Sequence, residues 1–141
     1  MAQDMISHVG IAVKDIDSAM ARYVMLTGDD APFITEVPDQ KVKVAIFAGG
    51  AEDPGHAGGR IELVAPLSDD SPIAGFLAKR GEGLHHICLY VDDIERKLSE
   101  LKAAGARLID ETPRVGAEGN RIAFVHPAGA HGVLIELEER A

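Results

Sequence analysis

Tryptophan is absent from this 141-residue chain, and aromatic residues make up 4% of it. Little material is therefore available for a pocket lined with rings. There is one cysteine, Cys88, which excludes an internal disulfide and fits a reducing, cytoplasmic setting. Basic residues are also scarce: 14 Lys and Arg stand against 23 Asp and Glu, a net charge of −9. Nucleic acid and anionic membrane surfaces are bound mainly through Lys and Arg, so neither is an expected partner. One small anionic ligand held by a few local bases is still compatible. No apolar run is long enough to span a bilayer. The opening MAQDMIS has neither the basic nor the apolar region of a signal peptide. What is present is 46% hydrophobic residues spread over one domain's length, enough for a real core.

The chain repeats itself. SHVGIAVKDID at 7–17 and HHICLYVDDIE at 85–95 align at an offset of 78, placing His8 on His86, Val13 on Val91, Asp15 on Asp93 and Ile16 on Ile94. RIELV at 60–64 matches LIELE at 134–138 at a nearly equal offset, with Glu62 on Glu136. Two matched pairs in the same order point to a duplication. Each copy opens on a strand, about 6–13 and 85–91, and passes into a helix with an acidic start. Asp15 or Asp17 can cap the first helix. Ile16, Met20, Tyr23 and Val24 share its face, and Gly28 stops it. Asp92 or Asp93 can cap the second, where Ile94, Leu98 and Leu101 share a face and Gly105 ends it. Three further strands are expected in each copy: about 33–37, 42–48 and 60–65, then about 107–110, 120–126 and 132–138. A Gly-rich loop, 49–59, joins two strands of the first copy. A short helix with linker, 70–83, joins the copies. The expected fold is α+β: one domain over 1–141, made of tandem β-α-β-β-β modules at about 5–66 and 84–139. Curved mixed sheets would form a cup able to hold a metal.

Alternation along a strand places residues i and i+2 on one face. Ile61 and Leu63 flank Glu62, and Ile135 and Leu137 flank Glu136. If the apolar neighbours pack on the helices, both carboxylates face the other way. His8 shares its face with the small residues Gly10 and Ala12, and His86 shares its face with Cys88 and Tyr90. Each module thus offers one His on its first strand and one Glu on its last. Two imidazoles and two carboxylates suit a divalent first-row metal with open positions for substrate. Any one of these residues alone reads as an ordinary strand residue; the matched pairs carry the metal reading. The other histidines read differently. His56 and His131 lie in Gly-rich loops, where exposure is the default. His85 points away from His86, and His126 before Pro127 is structural. Cys88 reads as a buried free thiol.

This duplicated unit with its His and Glu resembles the vicinal oxygen chelate superfamily, which includes glyoxalases, extradiol dioxygenases and antibiotic-sequestering proteins. Within it, VPDQKVKVAIF (37–47), SPIAGFLAKRGEGLHHI (71–87), LIDETPRVGAEGNRIAFVHP (108–127) and GVLIELEE (132–139) are similar to the methylmalonyl-CoA epimerases, and the likeness covers nearly the whole chain. The resemblance implies a divalent metal (Co, Mn, Ni, Zn or similar) on His8, His86 and Glu136, with a fourth ligand on the strand of Glu62. Many members carry Gln at that place. Some carry an acid four residues after the Gln of the DQ-type motif, as one of two proton-transfer groups; here that position is Val44. A homodimer is implied as well.

The activity implied is interconversion of (R)- and (S)-methylmalonyl-CoA through α-proton abstraction and a metal-stabilised enolate. Inversion needs a proton removed on one face and delivered on the other, and Glu136 and Glu62 are the candidate groups. Lys79, Arg80 and Arg121 are candidate cations for the coenzyme A tail, although each also reads as surface charge. Ser71 could touch substrate, or cap the helix at 72–80. Two alternatives stand beside this reading. One is a glyoxalase-type lyase or isomerase of the same superfamily. The other is a non-catalytic small-molecule binding protein, which would need no metal-ligand set.

Overall fold

A computed structural model describes residues 6–47 and 59–140 of the chain. Apart from Gly59, the Gly-rich segment containing His56 lies outside the described residues. Both expected β-α-β-β-β modules are present. The first runs β1 (Ile6–Ala12), α1 (Ile16–Thr27), β2 (Phe33–Val37), β3 (Val42–Phe47) and β4 (Arg60–Pro66). After the connecting helix α2 (Pro72–Arg80), the second runs β5 (Gly83–Val91), α3 (Ile94–Ala103), β6 (Arg114–Val115), β7 (Arg121–Val125) and β8 (Ile135–Glu139). Among the described residues, no helix is long and apolar enough to cross a membrane.

By internal contacts the chain forms two compact units whose boundaries do not follow the modules. One unit takes residues up to His8 and from His86 onward; the other is Val9–His85. The chain passes between them inside β1 and inside β5.

In the Val9–His85 unit the strand order is β2-β3-β4-β1. β3 runs antiparallel to both β2 and β4, with Val44 opposite Val64 and Ile46 opposite Glu62. Asp15 caps α1, its carboxylate accepting the Asp17 N–H at 3.1 Å. Gly28 ends the helix at φ +78°, a left-handed turn that costs glycine nothing. The apolar face of α1 covers the sheet: Ile16 is buried with Ala45, Phe47, Leu63 and Ala65, and Met20, Tyr23 and Val24 pack against them. Leu63 is therefore on the helix side of β4, and strand alternation turns Glu62 to the other side.

The second unit repeats this logic. Its order is β1-β5-β8-β7-β6, with β5 parallel to β8 and β7 antiparallel to both β8 and β6. Asp93 caps α3 by accepting the Arg96 N–H. Ile94 and Leu98 are buried against Ala123, Val125 and Leu137, each contributing about 1.5–3 kcal/mol by removal from water. Leu137 on the helix side again leaves Glu136 and Glu138 on the opposite face.

One expected strand is replaced. Residues 107–110 make only a single bridge, Leu108 with Val125, and the edge strand is the two-residue β6. The cause is local. The Asp110 carboxylate accepts the Phe124 N–H at 2.9 Å, taking a donor that a ladder would use. Ile109 and Asp110 both donate to the Phe124 carbonyl, and Pro113 then removes a donor of its own. The turn before β8 is seated equally closely. A Cβ on Gly129 would lie 2.7 Å from the Arg107 carbonyl oxygen, so only glycine fits there.

Candidate metal and proton-transfer site

Three of the four sequence-predicted ligands come together within one unit. His8 is on β1, His86 on β5 and Glu136 on β8, and all three are buried. The Nε2 atoms of His8 and His86 stand 3.1 Å apart, and each is 3.1 Å from Glu136 Oε1. The rings meet edge to face, with centroids 5.2 Å apart at 86°. His86 also abuts the Phe124 ring at 6.0 Å, and the Arg114 guanidinium stacks on that ring at 5.5 Å. Behind His86, the side chain of Cys88 is fully buried.

This geometry fits a divalent metal. Donor atoms held about 2.1 Å from a common centre stand about 3.0 Å apart at right angles and about 3.4 Å apart at the tetrahedral angle. The three observed separations of 3.1 Å fall between these limits. The donor set of two imidazoles and one carboxylate suits first-row divalent ions. Burial on its own pushes the Glu136 carboxyl up, but hydrogen bonds from His8 and His86 outweigh it and hold the group well below the usual carboxylate range. It is therefore ionised at neutral pH, the form that ligates a cation or accepts a proton. A small pocket opens onto these residues, lined by His8, Glu136, Glu138, Ile122 and the 116–120 turn.

The remaining candidates fall out as follows. Glu62 is buried on β4 in the other unit. Val44 is buried on β3 opposite Val64, an apolar pair with no proton to exchange. Ser71 caps α2, its Oγ accepting the Ile73 N–H at 3.2 Å. Lys79 and Arg80 lie in the last turn of α2, where positive charge complements the helix dipole. Arg80 also stacks over Phe76 at 5.9 Å, and His85 meets the same ring edge-on. The Arg121 guanidinium is held by both Glu139 oxygens and by Glu95. The Glu139 hydrogen bonds, which outweigh partial desolvation, raise its already high pKa. His126 is structural, its Nδ1 accepting the Ala128 N–H.

Sequence reasoning missed a buried group beside the His-His-Glu cluster. The Glu138 carboxylate is 3% exposed and accepts from Ser7 Oγ at 2.7 Å, Asn120 Nδ2 at 2.8 Å and Cys88 Sγ at 3.7 Å. The same alternation that singled out Glu136 also applied two residues later.

The chain is similar to proteins of one family throughout. A family model for the glyoxalase/bleomycin resistance protein/dioxygenase superfamily matches residues 7–124. The ethylmalonyl-CoA/methylmalonyl-CoA epimerase of Cereibacter sphaeroides is 39% identical over 95% of this chain and 96% of its own length. The crystal structure of methylmalonyl-CoA epimerase from Mycobacterium tuberculosis is 39% identical, with a TM-score of 0.87 over 97% of this chain and 88% of that one. A methylmalonyl-CoA epimerase in complex with methylmalonyl-CoA and NH4+ is 31% identical, with a TM-score of 0.88 over 99% and 96% of the two chains. With its duplicated modules and its His-His-Glu cluster, this chain belongs to the glyoxalase/bleomycin resistance protein/dioxygenase superfamily, in the family of the methylmalonyl-CoA epimerases.

Proposed function

We propose that the cluster of His8, His86 and Glu136 is the reaction centre of an epimerase that interconverts (R)- and (S)-methylmalonyl-CoA. The observation carrying this is the Glu136 oxygen set 3.1 Å from both imidazole nitrogens in a buried site. His8, His86 and Glu136, with Glu62 as fourth ligand, would hold the divalent ion, of the Co, Mn, Ni or Zn type. Bound there, such an ion supplies Lewis-acid stabilisation where negative charge develops on the thioester oxygen.

The protein's own groups do the rest. The α-carbon of the substrate lies between a thioester and a carboxylate, so its proton is acidic but still needs a placed base. Glu136, ionised and buried, takes the proton on one face. Glu62 delivers one on the other, filling the part for which Val44 has no chemistry. Burial excludes bulk water and so limits leakage of the exchanging proton. Lys79 and Arg80, exposed in the last turn of α2, are the proposed cations for the coenzyme A phosphates. Arg121 would have to leave its carboxylates to take part, and Ser71 would have to serve as cap and contact together. One domain over 1–141, a cytoplasmic location and a homodimer complete this reading.

The test is direct. Chelator-stripped and cation-restored protein are incubated with methylmalonyl-CoA in deuterated water, and the α-proton is followed. Cation-dependent wash-in of deuterium is the expected result. Its absence, with the protein folded and loaded, overturns the assignment.

A further inference from the structure

Ser7 sits next to His8 and is fully buried. Its hydroxyl lies within hydrogen-bond distance of an imidazole nitrogen and a carboxylate oxygen. Ser7 Oγ is 3.2 Å from His8 Nδ1 and 2.7 Å from Glu138 Oε1. A hydroxyl carries one hydrogen, and a carboxylate oxygen can only accept it. Glu138 is committed to accepting, since the Asn120 amide and the Cys88 thiol also point their donors at it. Ser7 therefore gives its hydrogen to Glu138 and has only a lone pair to offer His8. For that contact to be a hydrogen bond, His8 Nδ1 must carry the proton.

We propose that Ser7 and Glu138 are positioning residues: the chain Glu138–Ser7–His8 keeps a proton on His8 Nδ1 and fixes the ring so that Nε2 is the nitrogen turned to Glu136, its hydrogen-bond partner in the metal-free protein, and to the cation. This rests on the cation-binding reading above, and goes beyond it by naming what prepares one of its ligands. A ligating imidazole is typically oriented and made more basic by a partner on its far nitrogen. Here that partner is a serine, with the carboxylate one step behind it. Asn120 ties the same carboxylate to the 116–120 turn that lines the pocket. The arrangement also explains why a second carboxylate is buried two residues after Glu136. Its three donors replace the water it gives up.

The experiment uses nitrogen-15 NMR of the His8 ring in metal-free and Zn2+-loaded full-length protein, together with Co2+ titrations followed by the ion's visible spectrum. In wild-type protein His8 Nδ1 is expected to be protonated in both states, with its proton protected from exchange. Ser7→Ala should lose that protection and bind Co2+ about 10- to 100-fold more weakly. Glu138→Gln should weaken binding over the same range, since the neutral amide no longer fixes the direction of the Ser7 hydroxyl. A wild-type His8 ring bare at Nδ1 overturns the proposal, whether or not a cation binds and whether or not the variants fold. A Ser7→Ala protein with wild-type Co2+ affinity and a protected Nδ1 proton also overturns it. Failure of wild-type protein to bind any divalent cation would instead sink the metal assignment, and the ring measurement would still judge the Ser7 contact.

Discussion

The last strands of the two modules, β4 and β8, share an apolar-Glu-apolar frame and then part company. Glu62 and Glu136 hold equivalent places, each between residues packed on the helix side of its sheet. Two residues on, β4 has Val64 and β8 has Glu138. The strands opposite them differ in step. Val44 and Val64 pair across β3 and β4, where Ile122 and Glu138 pair across β7 and β8. The first strands differ too: His8 has Ser7 at its back, whereas the neighbour of His86 is His85, which meets Phe76. Duplication thus repeated the inner carboxylate, whereas the Ser7–Glu138 pair behind His8 joins one residue from each copy. Ligand placement follows from the backbone pattern; support has to be built side chain by side chain.

The two inner carboxylates should be separable by substitution. Glu136→Gln is expected to lose both cation affinity and at least 100-fold in epimerisation, as removal of a positioned acid–base group typically does. Glu62→Gln should keep the cation yet lose most exchange of the α-proton with deuterated solvent. Full exchange in that second variant would remove Glu62 from proton transfer.

Forcing the outer positions to match should fail in a revealing way. Val64→Glu would bury a carboxylate opposite Val44, with none of the three donors that serve Glu138. A loss on the order of 3–5 kcal/mol in urea unfolding is expected, as for a buried charge deprived of its partner. A loss under 1 kcal/mol would mean that this face of β4 is open enough to hydrate the charge.

Acid should weaken the β8 side through Glu136. Its folded pKa is depressed, so its contribution to stability is present above the unfolded value, near 4.5, and is lost as pH falls through the depressed one. In metal-free protein, urea midpoints should fall below about pH 4.5, and Glu136→Gln should flatten that slope. An unchanged slope would show that other carboxylates dominate the acid limb.

The smallest contrast lies in the helix caps. Asp15→Ala should cost α1 about 1 kcal/mol. Asp93→Ala should cost α3 less, because Glu139 also accepts the Ile94 N–H, at 3.0 Å. Equal shifts in thermal midpoint would discount that second cap.

Much of this was legible in the residues alone. Hydrophobic period, acidic caps and terminal glycines located α1 and α3, Ser71 marked the start of α2, and alternation around Glu136 put it on the His face. The strand expected at 107–110 failed because the Asp110 side chain competes for the Phe124 amide, a contact between positions 14 residues apart. Glu138 obeyed the alternation rule and still went unnoticed. Its importance lies in Ser7, 131 residues away in sequence, and no local pattern encodes that meeting. Arg121 read as a spare cation for the same reason: the two carboxylates that hold it come from α3 and β8.

The passage of the chain between units inside β1 has a consequence for ancestry. His8 is written in the first repeat but is built into the unit that holds His86 and Glu136. A chain of one repeat would own a single such imidazole and a single inner carboxylate, short of the three-residue cluster. Such an ancestor could complete the site only by lending its opening strand to another copy of itself. With both repeats in one chain, that sharing is built into the covalent backbone.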